Sequence, residues 1–248
     1  MHAPSAISED GYLRVNGLRL HCRDLGDRGA SGRLPARLEG HAYEWEVLLA
    51  ELAADHRVVA FDQRGPGRSS WAASYRPAAM VADVLGVVDA LGLARFHLVG
   101  HSMGGVIAML LAAQRPDLIN RLVIIDIGPD SLDVEWGREE LPVALQYLAA
   151  ASYPTVQDAV DEWLRGAPYV RGPLMRHYVE HALRRGDNGR WVWRFDAGRL
   201  YDFIVTASSD ELWAALDRIT TPSRPPSGHF WSPDTCGELR VTGAAGTG

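Results

Sequence analysis

The stretch from Phe96 to Ala113, FHLVGHSMGGVIAMLLAA, limits what this chain can fold into more than any other. An apolar run from Phe96 to Val99 reads as a buried strand. It breaks at Gly100-His101-Ser102-Met103-Gly104-Gly105 and resumes at Val106 as an apolar helical pattern that meets no polar residue until Gln114. A strand that becomes a helix within so few residues needs a very tight turn, and the flanking glycines Gly100 and Gly104 supply it, because a Cβ at either position would clash. Such a turn holds Ser102 out at the strand's C-terminal end. There the helix N-terminus and nearby backbone N–H groups can stabilise a developing negative charge. Ser102 is therefore a candidate nucleophile, with a plain tight-turn serine as the alternative.

The rest of the chain supports a soluble α/β protein. Its 248 residues can bury a sizeable core, as one large domain or as a core with an inserted lid. A net charge of −6 and the absence of a dense basic cluster argue against nucleic-acid binding. No apolar run is long enough to span a membrane, and MHAPSAISED lacks the basic and apolar regions of a signal peptide, so a cytoplasmic protein is expected. Cys22 and Cys236 are far apart and form no metal or redox motif, so both are expected as free thiols. Every basic residue is arginine, which excludes lysine Schiff-base or lysine general-base chemistry.

Taken in order, Tyr12 to Cys22 carries Asn16-Gly17 between two alternating runs, a strong hairpin signal. Gly26 to Glu39 is rich in Gly, Arg and Pro, shows neither period, and reads as loop. Trp45, Leu48, Leu49 and Leu52 form a helical stripe, and Arg57 to Phe61 a short buried strand. The loop Asp62-Gln63-Arg64-Gly65-Pro66-Gly67-Arg68-Ser69 lacks the spacing of a phosphate- or dinucleotide-binding loop and reads as a structural turn. Met80 to Leu91 is a helix ending at Gly92, and Leu122 to Ile125 a further strand ending at Asp126-Ile127-Gly128-Pro129. Alternating strands and helices predict a parallel sheet covered on both faces.

Beyond Ser131 three helices are predicted, Leu141 to Ala150, Thr155 to Leu164 and Pro173 to Leu183, the second opened by a Thr155/Asp158 capping box. An alternating strand follows from Trp191 to Phe195. This helical, Trp-rich insertion looks like a lid. Ser209 is expected to cap a last helix carrying Leu212, Trp213, Leu216 and Ile219.

With Ser102, the Asp62 to Ser69 loop and Asp126-Ile127-Gly128-Pro129 in place, the chain resembles the α/β-hydrolase fold family, in its lid-bearing serine esterase branch. The likeness runs from about Tyr12 to Pro222 and is interrupted near Gly32 to Glu39. It implies a doubly wound, mostly parallel sheet, a core in residues 1–131, a helical lid in 132–208, and a second core part in 209–248 whose C-terminal strands and helix are incomplete. It also implies no cofactor and no metal, a small ester-like substrate, and a triad in the order Ser, acid, His, in which Asp126 is the acid. The backbone N–H groups of His41 and Met103 are the oxyanion donors carried over from the resemblance.

The chain departs from this pattern twice. Where the family has an apolar strand ending in His-Gly, this chain has Arg33-Leu34-Pro35-Ala36-Arg37-Leu38-Glu39-Gly40. After Thr221-Pro222, where an apolar strand is expected, it reads SRPPSGHFW and a Gly/Ala-rich tail, with no Gly-His loop followed by a closing helix. Both anomalies, near 29–39 and 222–248, have the composition of G+C-rich codons read out of frame. The histidine that would activate Ser102 is thus not identified. His229 is the candidate base, His101 is expected to diverge from Ser102 and support the pocket, and His21 and His97 are expected as satisfied structural residues. The side chain of His41 is a candidate substrate contact. His177-Tyr178-Val179-Glu180-His181 matches an inverted zinc-peptidase pattern, and polar positions on a lid helix are the plainer reading.

The expected function is hydrolysis of a carboxylic ester or related acyl bond through an acyl-enzyme on Ser102. An aspartate nucleophile is disfavoured by the serine at the elbow. The alternatives are an inactive member of the fold or gene fragment that binds a small apolar ligand against Trp163, Trp191 or Trp193, and, more distantly, a zinc metallopeptidase built on His177, Glu180 and His181.

Overall fold

The computed structural model describes residues 10–25, 35–38, 42–133, 139–195 and 197–220. Asn16 and Gly17 both take positive φ, 50° and 78°, and join β1 (Gly11–Val15) to β2 (Leu18–Leu25) in a two-residue hairpin, with Val15 facing Leu18. Positive φ at both loop residues matches the right-handed twist of the flanking strands, which is why Asn-Gly marks this turn. The hairpin pairs through β2 with β4 (Val58–Phe61), antiparallel.

The remaining strands are parallel. β3 (Pro35–Leu38), β5 (Phe96–His101) and β6 (Ile119–Ile125) complete a six-stranded sheet in the order β1-β2-β4-β3-β5-β6. β4 shows why the sheet needs helices on both sides, since all four of its residues are buried. Val58 and Ala60 pack with Leu49 of α1 (Glu46–Ala53), whereas Val59 and Phe61 join a larger cluster with α2 (Pro77–Leu91) and α3 (Met103–Gln114). Alternate residues of a strand point to opposite faces, so the two clusters lie on the two faces of the sheet. Pro77 opens α2 where its missing N–H costs nothing, and Gly92 closes it in a left-handed conformation. α3 is apolar and almost wholly buried.

The strand β3 corrects the expectation of a loop from Gly26 to Glu39. Pro35–Leu38 lies in the centre of the sheet, pairing with β4 on one side and β5 on the other; residues 26–34 and 39 lie outside the described residues. Its backbone is paired on both edges, and pairing of that kind overrides weak local propensity. Proline is tolerated as the first residue of the strand.

Between the two core parts, α4 (Leu141–Ala150), α5 (Val156–Gly166) and α6 (Gly172–Ala182) surround a small antiparallel sheet of β7 (Ser152–Tyr153), β8 (Leu183–Arg185) and β9 (Trp191–Trp193), ordered β7-β9-β8. The unit has its own core of Tyr153, Val160, Met175, Val179, Leu183 and Trp193. Thr155 caps α5 as expected, accepting the N–H of Asp158 at 3.2 Å. Two elements pack back onto the main core, α7 (Ala197–Thr206) through Phe203 and α8 (Ser209–Arg218) through Leu212. The cap of α8 is Ser208, not Ser209: the Ser208 hydroxyl accepts the N–H of Glu211, while the Ser209 hydroxyl donates to Asp130 at 3.1 Å. No helix among the described residues is long and apolar enough to cross a membrane.

Candidate active site

The site begins with a strained backbone. Ser102 lies between β5 and α3 at φ 50° and ψ −119°, a region that residues with a Cβ rarely enter. The glycine before the turn explains how the chain gets there. A Cβ on Gly100 would lie 2.4 Å from the carbonyl oxygen of Gly104 and 2.9 Å from Ala108 Cβ, so only hydrogen lets the strand and the returning helix come this close. The carbonyl of Ser102 then accepts the N–H groups of Gly105 and Val106 at 2.8 and 3.2 Å, starting the helix at once. Met103 is the first residue of α3, which puts its N–H at the positive end of a buried helix, directly after the serine. Strain of this kind costs about 1–3 kcal/mol. Replacing Ser102 by glycine, which enters this region freely, should therefore raise the melting temperature while removing the hydroxyl; calorimetry of the two proteins checks it.

Asp126 stands beside this turn because of register. β5 and β6 run parallel with His101 opposite Ile125, and the N–H of Ser102 donates to the carbonyl of Ile125 at 2.9 Å. Ser102 and Asp126 are thus the next residues out of two neighbouring strands, and both leave with positive φ, 50° and 56°. A second close approach holds α3 against β6, since a Cβ on Gly105 would meet Ile127 Cγ2 at 2.3 Å and Ile124 Cγ2 at 3.2 Å. The turn beyond Asp126 is pinned as well. Gly128 N–H donates to Ser131 Oγ at 2.9 Å, and Asp130 accepts from Trp213 Nε1 at 2.7 Å and from Ser209, tying the turn to α8.

The Asp126 side chain is 82% exposed, and its Oδ2 lies 3.7 Å from Nε2 of His101. His101 therefore turns toward the acid and toward Trp45, whose ring centroid is 6.3 Å away, as an edge contact. Among the described residues no side chain is recorded in a hydrogen bond with the Ser102 hydroxyl. His41 and His229, the expected oxyanion donor and candidate base, lie outside the described residues, as does Cys236.

The residues of the alternative readings are otherwise engaged. His177 and His181 do share a face of α6, ring centroids 4.5 Å apart, but His181 Nδ1 donates to the His177 carbonyl at 2.9 Å and Glu180 accepts from Arg176 at 3.3 Å on the exposed side. Among the described residues no three His, Cys, Asp or Glu side chains are grouped to hold a metal ion. The two histidines instead meet the core, His181 stacked on Tyr43 at 3.8 Å and His177 3.9 Å from Glu46. Trp163 and Trp193 lie 4.9 Å apart within the small core around β7–β9, where they fill it by packing on each other.

Sequence reading missed the residues that bind the Asp62 to Ser69 loop to its surroundings. Arg64 makes a buried, two-pronged ion pair with Asp83 of α2, at 2.7 and 2.8 Å, and also donates to the carbonyls of Ser74 and Ala79. Asn16 of the hairpin donates to the same carboxylate at 2.9 Å. Asp62 gathers His21, Arg68 N–H and Ala42 N–H. The chain separations of these partners exceed any local motif. The only signal was the polar loop directly after a fully apolar strand.

The family that matches this architecture is the alpha/beta hydrolase fold, whose model covers residues 34–220, and the chain belongs to it. The esterase Rv0045c of Mycobacterium tuberculosis is 31% identical over 187 residues, 73% of this chain and 60% of that protein. The match therefore spans less than two thirds of that relative's length. A crystal structure of an alpha/beta hydrolase from Novosphingobium aromaticivorans superposes with a TM-score of 0.71 at 28% identity, covering 88% of this chain and 81% of the other. The crystal structure of E-2-(acetamidomethylene)succinate hydrolase gives a TM-score of 0.74 at 21% identity over 86% of this chain and 78% of that one, a likeness of fold alone.

Proposed function

We propose that this protein is a hydrolase that cleaves a small ester or related acyl compound through an acyl-enzyme on Ser102. The observation that carries the reading is the backbone of Ser102. A non-glycine residue held at positive φ between a buried strand and a buried helix is strain that a plain turn would have lost by becoming glycine. The esterase among its relatives supports the same reaction class.

In this reading Ser102 Oγ attacks the carbonyl carbon, and the carbonyl oxygen becomes an oxyanion. The N–H of Met103 and the N–H of His41 donate to it, assisted by the positive end of α3. A base takes the hydroxyl proton and returns it to the departing alkoxide. Water then attacks the acyl-serine, releasing the acid and restoring Ser102. Asp126 is the acid that orients the base and balances its charge. Its exposure at the C-terminal end of β6 leaves the carboxylate accessible to a histidine arriving from another segment, and His229 is the candidate. The unit spanning α4–α6 is the lid, closing over the elbow and confining the substrate.

One observation favours a second reading. The acid faces His101 while no imidazole among the described residues is bonded to Ser102, as expected of a member of the fold that binds a small molecule without turning it over. A fluorophosphonate probe separates the two. Serine-directed labelling of the wild type that vanishes in Ser102→Ala, and slows by about 10⁴-fold in Asp126→Asn, supports the hydrolase. A folded wild type that takes up no probe is the binding protein.

A further inference from the structure

A buried histidine is held between two carboxylates where β2 runs beside the end of β4. His21, on β2, is fully buried. Its Nδ1 is 2.9 Å from Asp62 Oδ2, and its Nε2 is hydrogen-bonded to Asp10 Oδ1. Asp62, also fully buried, uses its second oxygen to accept the N–H of Ala42, and Oδ2 accepts Arg68 N–H at 2.6 Å. The Asp62 main chain is clamped too: its N–H donates to the His21 carbonyl at 2.9 Å and its carbonyl accepts Ser69 Oγ at 2.6 Å, while Ser69 Oγ accepts His21 N–H at 3.0 Å. Ala42 directly follows residue 41, whose N–H is the expected oxyanion donor. The carboxylate therefore grips the chain one residue from the point where the substrate's developing charge must be met.

We propose that Asp62 and His21 are positioning residues for the oxyanion side of the Ser102 site, Asp62 fixing the backbone at Ala42 and His21 fixing Asp62 as a doubly protonated imidazolium. The inference rests on the hydrolase reading for its catalytic consequence, but not for its geometry. A neutral imidazole has one N–H and one lone pair, so between two carboxylates it would set a lone pair against a charged oxygen. Only the cation donates to both. Its charge also offsets the buried carboxylate, which would otherwise stand unpaired in a low-dielectric core.

The surroundings agree. Tyr12 and Tyr43 face the ring at 5.4 and 5.7 Å, the second stacked, and neither carries positive charge. Three guanidinium groups lie over these rings, Arg19 on Tyr12 at 4.2 Å and Arg23 and Arg68 on Tyr43 at 4.7 Å each, and Arg68 also pairs with Asp10 at 3.4 Å, while Arg194 interacts electrostatically with Tyr12 and Asp62. Burial by itself would push the imidazole's pKa down, yet the hydrogen bonds and charges of Asp62 and then Asp10 outweigh it and hold the pKa above its ordinary value. The clamp is thus fully present below about pH 6.5 and is lost as pH rises through the raised value.

The test is an NMR titration of the isotope-labelled full chain, with fluorophosphonate labelling rates measured over the same pH range. Both ring nitrogens of His21 should be protonated at neutral pH, and the Ala42 amide resonance should move at the same midpoint as the imidazole. In Asp62→Asn that coupling should disappear and His21 should titrate lower. The labelling rate of wild type should fall about 10- to 100-fold on the alkaline side at the His21 midpoint, a limb absent from His21→Gln, because a misplaced donor costs on that order. A singly protonated ring at neutral pH, an Ala42 amide that ignores the His21 midpoint, or an alkaline limb that persists in His21→Gln overturns the proposal. A wild type that never labels refutes the hydrolase reading instead, and the Ala42 and His21 resonances then decide the clamp alone, as they do if either variant fails to fold.

Discussion

Adding one methyl group at Gly100 should cost this protein about 3 kcal/mol, the upper end for an overpacked core, and lower its melting temperature by roughly 6–12 °C for a domain of this size. The reason is what the new carbon would meet. Its nearest neighbours are the carbonyl oxygen and carbon of Gly104, at 2.4 and 2.7 Å, and Ala108 Cβ at 2.9 Å. Two of these are backbone and the third is a Cβ fixed to a buried helix, so no rotamer change relieves the contact. α3 must move as a body, and with it the N-terminus that flanks Ser102. Gly100→Ala should therefore lose probe labelling as well as stability. Gly172→Ala is the control, because nothing lies within 4 Å of a Cβ there and the helix already begins at that residue. Thermal melts and labelling of both variants check the expectation; equal stability of the two would show that the elbow has slack which the distances deny.

The second large effect is expected at Asp83. Its carboxylate takes two bonds from Arg64, which is only 8% exposed, and one from Asn16. Asp83→Ala leaves a buried guanidinium facing two carbonyls, those of Ser74 and Ala79, with no countercharge. Breaking a buried pair from one side costs about 3–5 kcal/mol, whereas replacing both partners with apolar residues is often near neutral. Urea denaturation should thus show a large loss in Asp83→Ala and recovery of most of it in Arg64→Met/Asp83→Leu. If the double variant is as unstable as the single one, the pair serves chiefly to anchor the hairpin and loop through Asn16 and the two carbonyls.

How much of this was legible in the sequence depends on how local the cause is. The elbow, the Asn16-Gly17 hairpin, the end of α2 at Gly92 and the Thr155 cap are each set by residues within a few positions, and each has a steric or hydrogen-bonding rule of its own. β3 was not legible, because Pro-Ala-Arg-Leu carries little strand preference and becomes a strand through pairing on both edges with β4 and β5. β7 and β8 are two and three residues long, too short for any period to show. Ser208 was missed as a cap in favour of its neighbour because both are serines, and only Ser208 has Glu211 three residues on. In the site, the spacing of Ser102 and Asp126 was readable as one strand-helix-strand unit. The clamp of His21, Asp62 and Asp10 was not, since its members come from the chain before β1, from β2 and from the end of β4, and only the folded sheet brings them together.

The position of β3 also sets a timetable. Both of its partners come later in the chain, and β5 ends roughly sixty residues after it, a delay of roughly 3–12 seconds at ribosomal rates of about 5–20 residues per second. During that interval β4 can take one side of β3, since the two join directly through α1, but the other side still lacks its partner strand. An open strand edge is a template for any other chain nearby. The moment at which this molecule is most exposed to misassembly therefore falls during its synthesis, and the place is the strand that will end up in the middle of the sheet.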